Sequence, residues 1–272
     1  MNDTAPESPN PSESVNTTDS APEKDAIETA VDWSKLEYRD FLGVVYLLNE
    51  DSPFTGRAES FHENGQKKRE WNYKDGKEVG LATCWHWNGQ KQEEGNFKDG
   101  KRNGLWTVWH ENGQKWFEEN YKDGETDGLR TEWYKNGQKK GEVNVKDGKK
   151  YGLLSLWYEN GQKEEEANFK DGKNYGLQTI WYRNGQKQEE GNFKDGKRNG
   201  LWTVWHENGQ KKNEGNFKDG KEDGLDTAWY EDGQKEREGN YKDGKRDGLW
   251  IYYNEDGKER SRLTLKDGLL VD

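Results

Sequence analysis

The chain lacks most of what a compact globular protein uses to fill its interior. Its 272 residues include one cysteine, Cys84, one methionine and five prolines, and only 28% are hydrophobic. A single thiol excludes an intramolecular disulfide framework and a cysteine-based zinc site. No apolar run approaches the length of a secretory h-region or a membrane span, which makes a cytoplasmic location the expectation. No block of Lys and Arg is long enough to grip nucleic acid; Lys67-Lys68-Arg69 comes nearest and reads as a solvated turn exit.

With 36% charged residues and a mean hydropathy of −1.47, such a chain would ordinarily read as disordered. Its aromatic residues contradict that. Fourteen Trp, thirteen Tyr and eight Phe are too much large apolar surface to leave solvated. The fold must bury rings without an aliphatic core, which points to repetition. The formal charge of −11 sits mostly at one end, because residues 1–53 hold twelve acids against three bases. Residues 1–30, rich in Pro, Ser, Thr, Asp and Glu, read as a disordered acidic tail. Residues 31–52, with Trp33, Leu36, Phe41, Val44 and Val45, read as a segment capping the first open edge of the repeats that begin after it.

Residues 53–272 repeat every 24 positions without insertion or deletion. The turn Asn-Gly-Gln stands at 64, 88, 112, 136, 160, 184 and 208, then becomes Asp232-Gly233-Gln234 and Asp256-Gly257-Lys258. A second turn, Lys-Asp-Gly, starts at 74 and recurs through 266, giving nine units. Lys91 to Lys115 and Lys187 to Lys211 are identical, as an internal duplication would leave them. Two turns per unit with five to eight residues between them imply two strands per unit. The expected fold is all-β: an elongated, single-layer antiparallel array of β-hairpins, about nine units long.

Within a strand, Leu81, Thr83 and Trp85 alternate and share a face. A three-residue loop with Gly89 in the left-handed region pairs Trp85 with Lys91, and that register carried on sets Leu81 opposite Gly95. It places Phe97 on the Trp face. The expectation is one ladder of rings, Trp85, Phe97, Trp109, Tyr121, Trp133, Trp157, Phe169, Trp181, Phe193, Trp205, Phe217, Trp229 and Tyr241, with Val145 and Leu265 substituting in two units.

The stretch Glu94 to Gln114, "EGNFKDGKRNGLWTVWHENGQ", resembles a MORN (membrane occupation and recognition nexus) repeat in its pattern Gly-x-aromatic-x-x-Gly-x-x-x-Gly. The strict period and both turns resemble the bacterial MORN-repeat variant often catalogued as the antitoxin of a toxin–antitoxin pair, and Ser52 to Gln66 resembles its opening unit. The resemblance implies a non-enzymatic repeat scaffold, antitoxin-like, and it also raises association with phospholipid.

The residues themselves offer no catalytic constellation. His62, His86, His110 and His206 occupy one repeat position that Tyr134, Tyr158, Tyr182 and Tyr230 fill elsewhere, which suits a cross-strand filler better than a ligand or base. The carboxylates are equally periodic, so none has the singular environment an acid–base pair needs. No cofactor and no metal are expected. The other face of each first strand varies: Trp106 with Val108, Leu154 with Leu156, Trp202 with Val204 and Trp250 with Tyr252 are apolar, whereas Arg130, Glu132 and Asp226 are not. Variable apolar patches on a constant frame suggest a surface that meets another protein. A nearly neutral array makes a membrane the weaker partner, and an exported glycan-binding protein is the third reading.

Overall fold

The computed structural model describes residues 30–39 and 43–271; the acidic tail expected over residues 1–30, apart from Ala30, and Phe41 of the capping segment lie outside them. The described residues contain no α-helix, one 3-10 turn at Trp33–Lys35, a 21-stranded sheet and a small two-stranded one. In the large sheet each strand pairs with its neighbours in the chain, so the array is an antiparallel meander. Its strands are the two per unit expected from the turns, together with Val31–Asp32, Leu269–Val271 and Lys77–Glu78, which Val79 separates from Gly80–Trp85.

Local turn chemistry sets this meander. At the Lys-Asp-Gly turns both central residues are left-handed: the nine aspartates have φ between 48° and 52°, and Gly76 has 74°. This is the two-residue hairpin whose twist matches that of the strands, and Asp with Gly tolerates it best. At the Asn-Gly-Gln turns Gly65 (φ 82°) donates its N–H to His62 O at 2.9 Å, and Asn64 Oδ1 accepts Gln66 N–H at 3.0 Å. Asn64 Nδ2 then donates to Trp87 O in the next unit at 2.9 Å, so the turns are stitched to one another as well as closed.

Within the hairpin closed by each Asn-Gly-Gln turn, the register departs from the expected one at a single point. Trp85 is opposite Lys91, as expected, but Cys84 is opposite Glu93, leaving Gln92 unpaired in a bulge. From there on the pairing is shifted by one: Leu81 faces Asn96, and Gly95 faces Ala82. Because side chains alternate, this slip moves Phe97 to the face opposite Trp85 and Trp109. The single ladder of rings is therefore corrected to two rows on two faces. The Trp row shares the leucine face with Leu81, Thr83, Lys91 and Glu94. The Phe and Tyr row shares the core face with Ala82, Cys84, Gly95 and Trp106.

The rings also meet different partners from those expected. On the leucine face each Trp lies under a lysine of the preceding unit, as with Lys91 Nζ 5.8 Å from the Trp109 ring centroid. Ring-to-ring contacts occur on the core face, where Phe97 meets Trp106 edge-on at 5.3 Å.

At the start of the array Val31–Asp32 pairs in parallel with Gly56–Phe61 and covers that edge. The hairpin of Leu36–Tyr38 and Val45–Leu47 lies on the core face, where Val45 packs with Phe54, Ala58 and Tyr73. Trp33 rests against Trp71 and Tyr73 with ring centroids 5.4 and 6.0 Å away.

Candidate interaction surfaces

The leucine face is uniform from the second unit to the last, the first carrying Arg57 at the leucine position. Leu81, Leu105, Leu129, Leu153, Leu177, Leu201, Leu225 and Leu249 are each 44–51% exposed. Beside those from Leu81 to Leu225 runs a lysine–glutamate pair; Lys91 Nζ pairs with Glu94 Oε2 at 2.5 Å, and Thr83 Oγ1 donates to the same oxygen at 3.3 Å. The bulge makes that pair possible. It sets Lys91 and Glu94, three apart, on one side of the strand, and charge of both signs then borders the leucines without any large net field.

The core face varies, and its variation follows one rule. Strand after strand, one position crosses the middle of this face, and where the first strand of a unit carries Trp there the preceding strand carries Gly. A Cβ added to Gly95 would overlap Trp106 Cε3 and Cδ2; the same holds for Gly191 under Trp202 and Gly239 under Trp250. Glycine is thus needed for close approach of an indole rather than for a turn. The other side of each ring is covered by an arginine four residues earlier, with Arg102 and Arg198 both 4.1 Å and Arg246 4.5 Å from the centroids. These sandwiches leave Trp106, Trp202 and Trp250 only 2%, 3% and 0% exposed.

Of the apolar patch expected to meet a partner, then, those three indoles are interior groups. Val108 and Leu154 are buried as well, and Leu156, Val204 and Tyr252 are partly buried. The exposed apolar row on the other face is legible in part, since Leu81 shares a face with Trp85 by simple alternation, but its exposure depends on which face the remaining rings take.

Between Trp106 and Trp202 the rule lapses. The middle position carries Arg130, Leu154 and Gln178, and a cavity of about 440 Å³ opens, lined by Arg130, Val143, Val145, Leu154 and Leu156 with Glu119, Thr126, Glu132, Glu142 and Lys150 around it. Glu119 is 6% exposed and accepts from Tyr121 Oη at 2.8 Å and Thr126 Oγ1 at 3.0 Å, with Arg130 Nη1 3.5 Å away. Arg130 Nη2 also donates to Glu132 Oε1 at 2.7 Å. The buried acid is thereby satisfied rather than poised to react.

Titratable groups elsewhere are tied into the frame. His62 Nε2 lies 2.9 Å from Trp85 O, and Tyr134 Oη donates to Trp157 O at 2.8 Å, so the two residue types interchange because both reach the same carbonyl of the next unit. His110 instead stacks on Trp116 at 5.7 Å. Burial, with Glu93 adding to it, pushes the Cys84 thiol up to about 11. Among the described residues no three His, Cys, Asp or Glu side chains are grouped to hold a metal ion, and no helix is long and apolar enough to cross a membrane.

The nine-fold hairpin period and the repeated turns agree with a comparison against protein families. The MORN repeat variant model matches residues 54–75, 102–123, 126–147, 150–171, 174–195, 198–219 and 222–243, more than half of the chain. The chain belongs to the MORN repeat variant family. Two units are unmatched, residues 78–99 and 246–267; the first keeps the period but has Glu78 and Val79 where the next has Arg102 and Asn103. No curated protein matches the chain.

Proposed function

We propose that this MORN-repeat chain is a non-catalytic scaffold that binds another protein along its leucine face. One observation carries the reading: eight leucines, one in each unit after the first, hold the same half-exposed state along the array. A solvated repeat surface has no folding reason to keep an apolar row at constant exposure. A partner that lies along the array does, because each unit adds an equal contact to it. The lysine and glutamate rows beside the leucines supply a polar rim of mixed sign, which suits a protein surface better than an anionic bilayer. Neutralising a toxin, which the family resemblance suggests, is one form such binding takes.

The test is affinity capture with the full chain and with a Leu105→Glu, Leu153→Glu, Leu201→Glu variant, alongside co-sedimentation with anionic liposomes. The expected result is at least tenfold lower recovery of a specific protein partner by a variant whose Tm is unchanged. Undiminished recovery removes the leucine face. Sedimentation with liposomes in place of protein capture would move the chain to the lipid reading.

A further inference from the structure

Three departures from the repeat pattern meet at one place on the core face. Val145 stands where seven other units carry Tyr73, Phe97, Tyr121, Phe169, Phe193, Phe217 and Tyr241. Gly141 stands where other units carry long or bulky side chains such as Arg69, Glu93, Phe117 and Glu165. Leu154 stands where Trp106, Trp202 and Trp250 stand in theirs. Each removes bulk, and all three residues line the cavity of about 440 Å³. Substitutions scattered at random over nine units would not converge on one hollow.

The hollow keeps part of an indole site, a cation at the arginine position, while Val143 stands where Gly95 and Gly191 stand in the tryptophan units. In the tryptophan units the arginine touches two rings: Arg198 lies 4.1 Å from Trp202 and 5.5 Å from Phe217. Lys150 holds the equivalent position and the equivalent outer contact, 5.3 Å from the Phe169 centroid, but has Leu154 rather than an indole on its inner side. Apolar floor and overlying cation are both present without the ring between them. The molecule also shows how such a ring can arrive from outside the repeats. Trp33, on the extended segment before the array, lays its indole on Trp71 and Tyr73 of the same face with the Arg69 guanidinium 5.6 Å above it.

We propose that the cavity between Arg130 and Leu156 is a socket for an aromatic side chain, a tryptophan in the first place, presented by an extended segment of a partner protein. This rests on the reading of the chain as a protein-binding scaffold, and it gives that scaffold a site of defined specificity on the face opposite the leucines. The ring would sit on Val143, Val145 and Leu154 beneath the Lys150 ammonium, with the Glu119, Arg130 and Glu132 cluster at one end to meet polar groups of the backbone that carries it.

The probe is N-acetyl-tryptophanamide, titrated into the full chain while the methyl resonances of Val143, Val145 and Leu154 are followed. Saturable shifts confined to those methyls are expected. They should weaken at least tenfold in Val145→Phe, which restores the ring of the other units, and in Val143→Gly, Leu154→Trp, Lys150→Arg, which rebuilds the glycine, tryptophan and arginine sandwich; one of the two folding with an unchanged or raised Tm is enough. N-acetyl-leucinamide should bind at least tenfold more weakly. Absence of saturable shifts, or equal binding by a folded filled variant, overturns the socket. Binding of free indole ten times tighter than the blocked amino acid would assign the site to a small aromatic molecule and overturn the polypeptide source. The Leu105→Glu, Leu153→Glu, Leu201→Glu variant should bind the probe unchanged, so loss of partner capture there and loss of probe binding here are read independently.

Discussion

The repeats around Trp106, Trp202 and Trp250 and those around Arg130, Leu154 and Gln178 share turns, strand lengths and a leucine face, yet their core faces are built differently. In the first group a ring closes the face, glycine admits it and arginine covers it. In the second the same backbone carries aliphatic and charged side chains and leaves a hollow. A one-layer sheet has no second layer to supply its core, so each unit must fill its own face from its own side chains, and a unit that does not do so is left open. The difference between the two groups is thus a difference in filling, with the frame unchanged.

The comparison is broken most directly by truncation. Trp250→Ala should cost about 3–5 kcal/mol and Leu154→Ala closer to about 2 kcal/mol, because the leucine already borders empty space. Urea unfolding followed by far-UV circular dichroism measures both, and equal costs would mean that the tryptophan units are no better filled. Next comes the glycine pair. Gly95→Ala drives a methyl into the Trp106 ring and should cost about 1–3 kcal/mol, whereas Gly141→Ala meets only the flexible end of Leu156 and should stay under about 1 kcal/mol. A larger cost at Gly141 would show that the hollow tolerates no added bulk.

The overlying cation gives a finer measure. Arg198→Gln should lose about 1 kcal/mol through the uncovered Trp202, and Lys150→Gln about half of that, since Lys150 has one ring to cover instead of two. The smallest effect is read in reactivity. Cys84, 5% exposed and with its thiol pushed up to about 11, should react with iodoacetamide at pH 8 only as fast as the chain opens. Since its folded value lies above the ordinary 9, its contribution to stability is intact below about pH 9 and declines as pH rises towards 11. A cysteine introduced as Leu156→Cys, on the wall of the hollow, should react at least tenfold faster, and equal rates would mean the hollow is closed to solvent.

Much of the fold was legible because its instructions are local. Asp-Gly and Asn-Gly dictate their own turns whatever surrounds them, and the Trp85 to Lys91 pairing comes from the three-residue loop alone. The interchange of His62, His86 and His206 with Tyr at the same position pointed to a repeated structural contact, and the carbonyl they reach in the next unit is that contact. The interaction surface was less legible. Trp106, Trp202 and Trp250 look exposed when read against the expected register, and their burial needs the glycines beneath them to lie on the same face. The glycine and tryptophan pairing at Gly95 and Trp106, Gly191 and Trp202, and Gly239 and Trp250 was a signal in plain view, and so was the Lys91 to Glu94 charge pair. Three residues apart on a regular strand, those two would project to opposite sides, so a pairing between them required a bulge.

The sequence by itself determined the period, the number of hairpins, the two kinds of turn and the need to bury rings, because each rests on a few adjacent residues whose backbone preferences are strong. The tertiary structure alone decided which face each ring takes. One residue left unpaired at Gln92 and its equivalents reverses every side chain beyond it, and whether a strand bulges there is settled by hydrogen bonds and packing with the strands on both sides. The hollow between Arg130 and Leu156 exists only after that choice, when Gly141, Val145 and Leu154, up to thirteen positions apart in the chain, come to line the same wall.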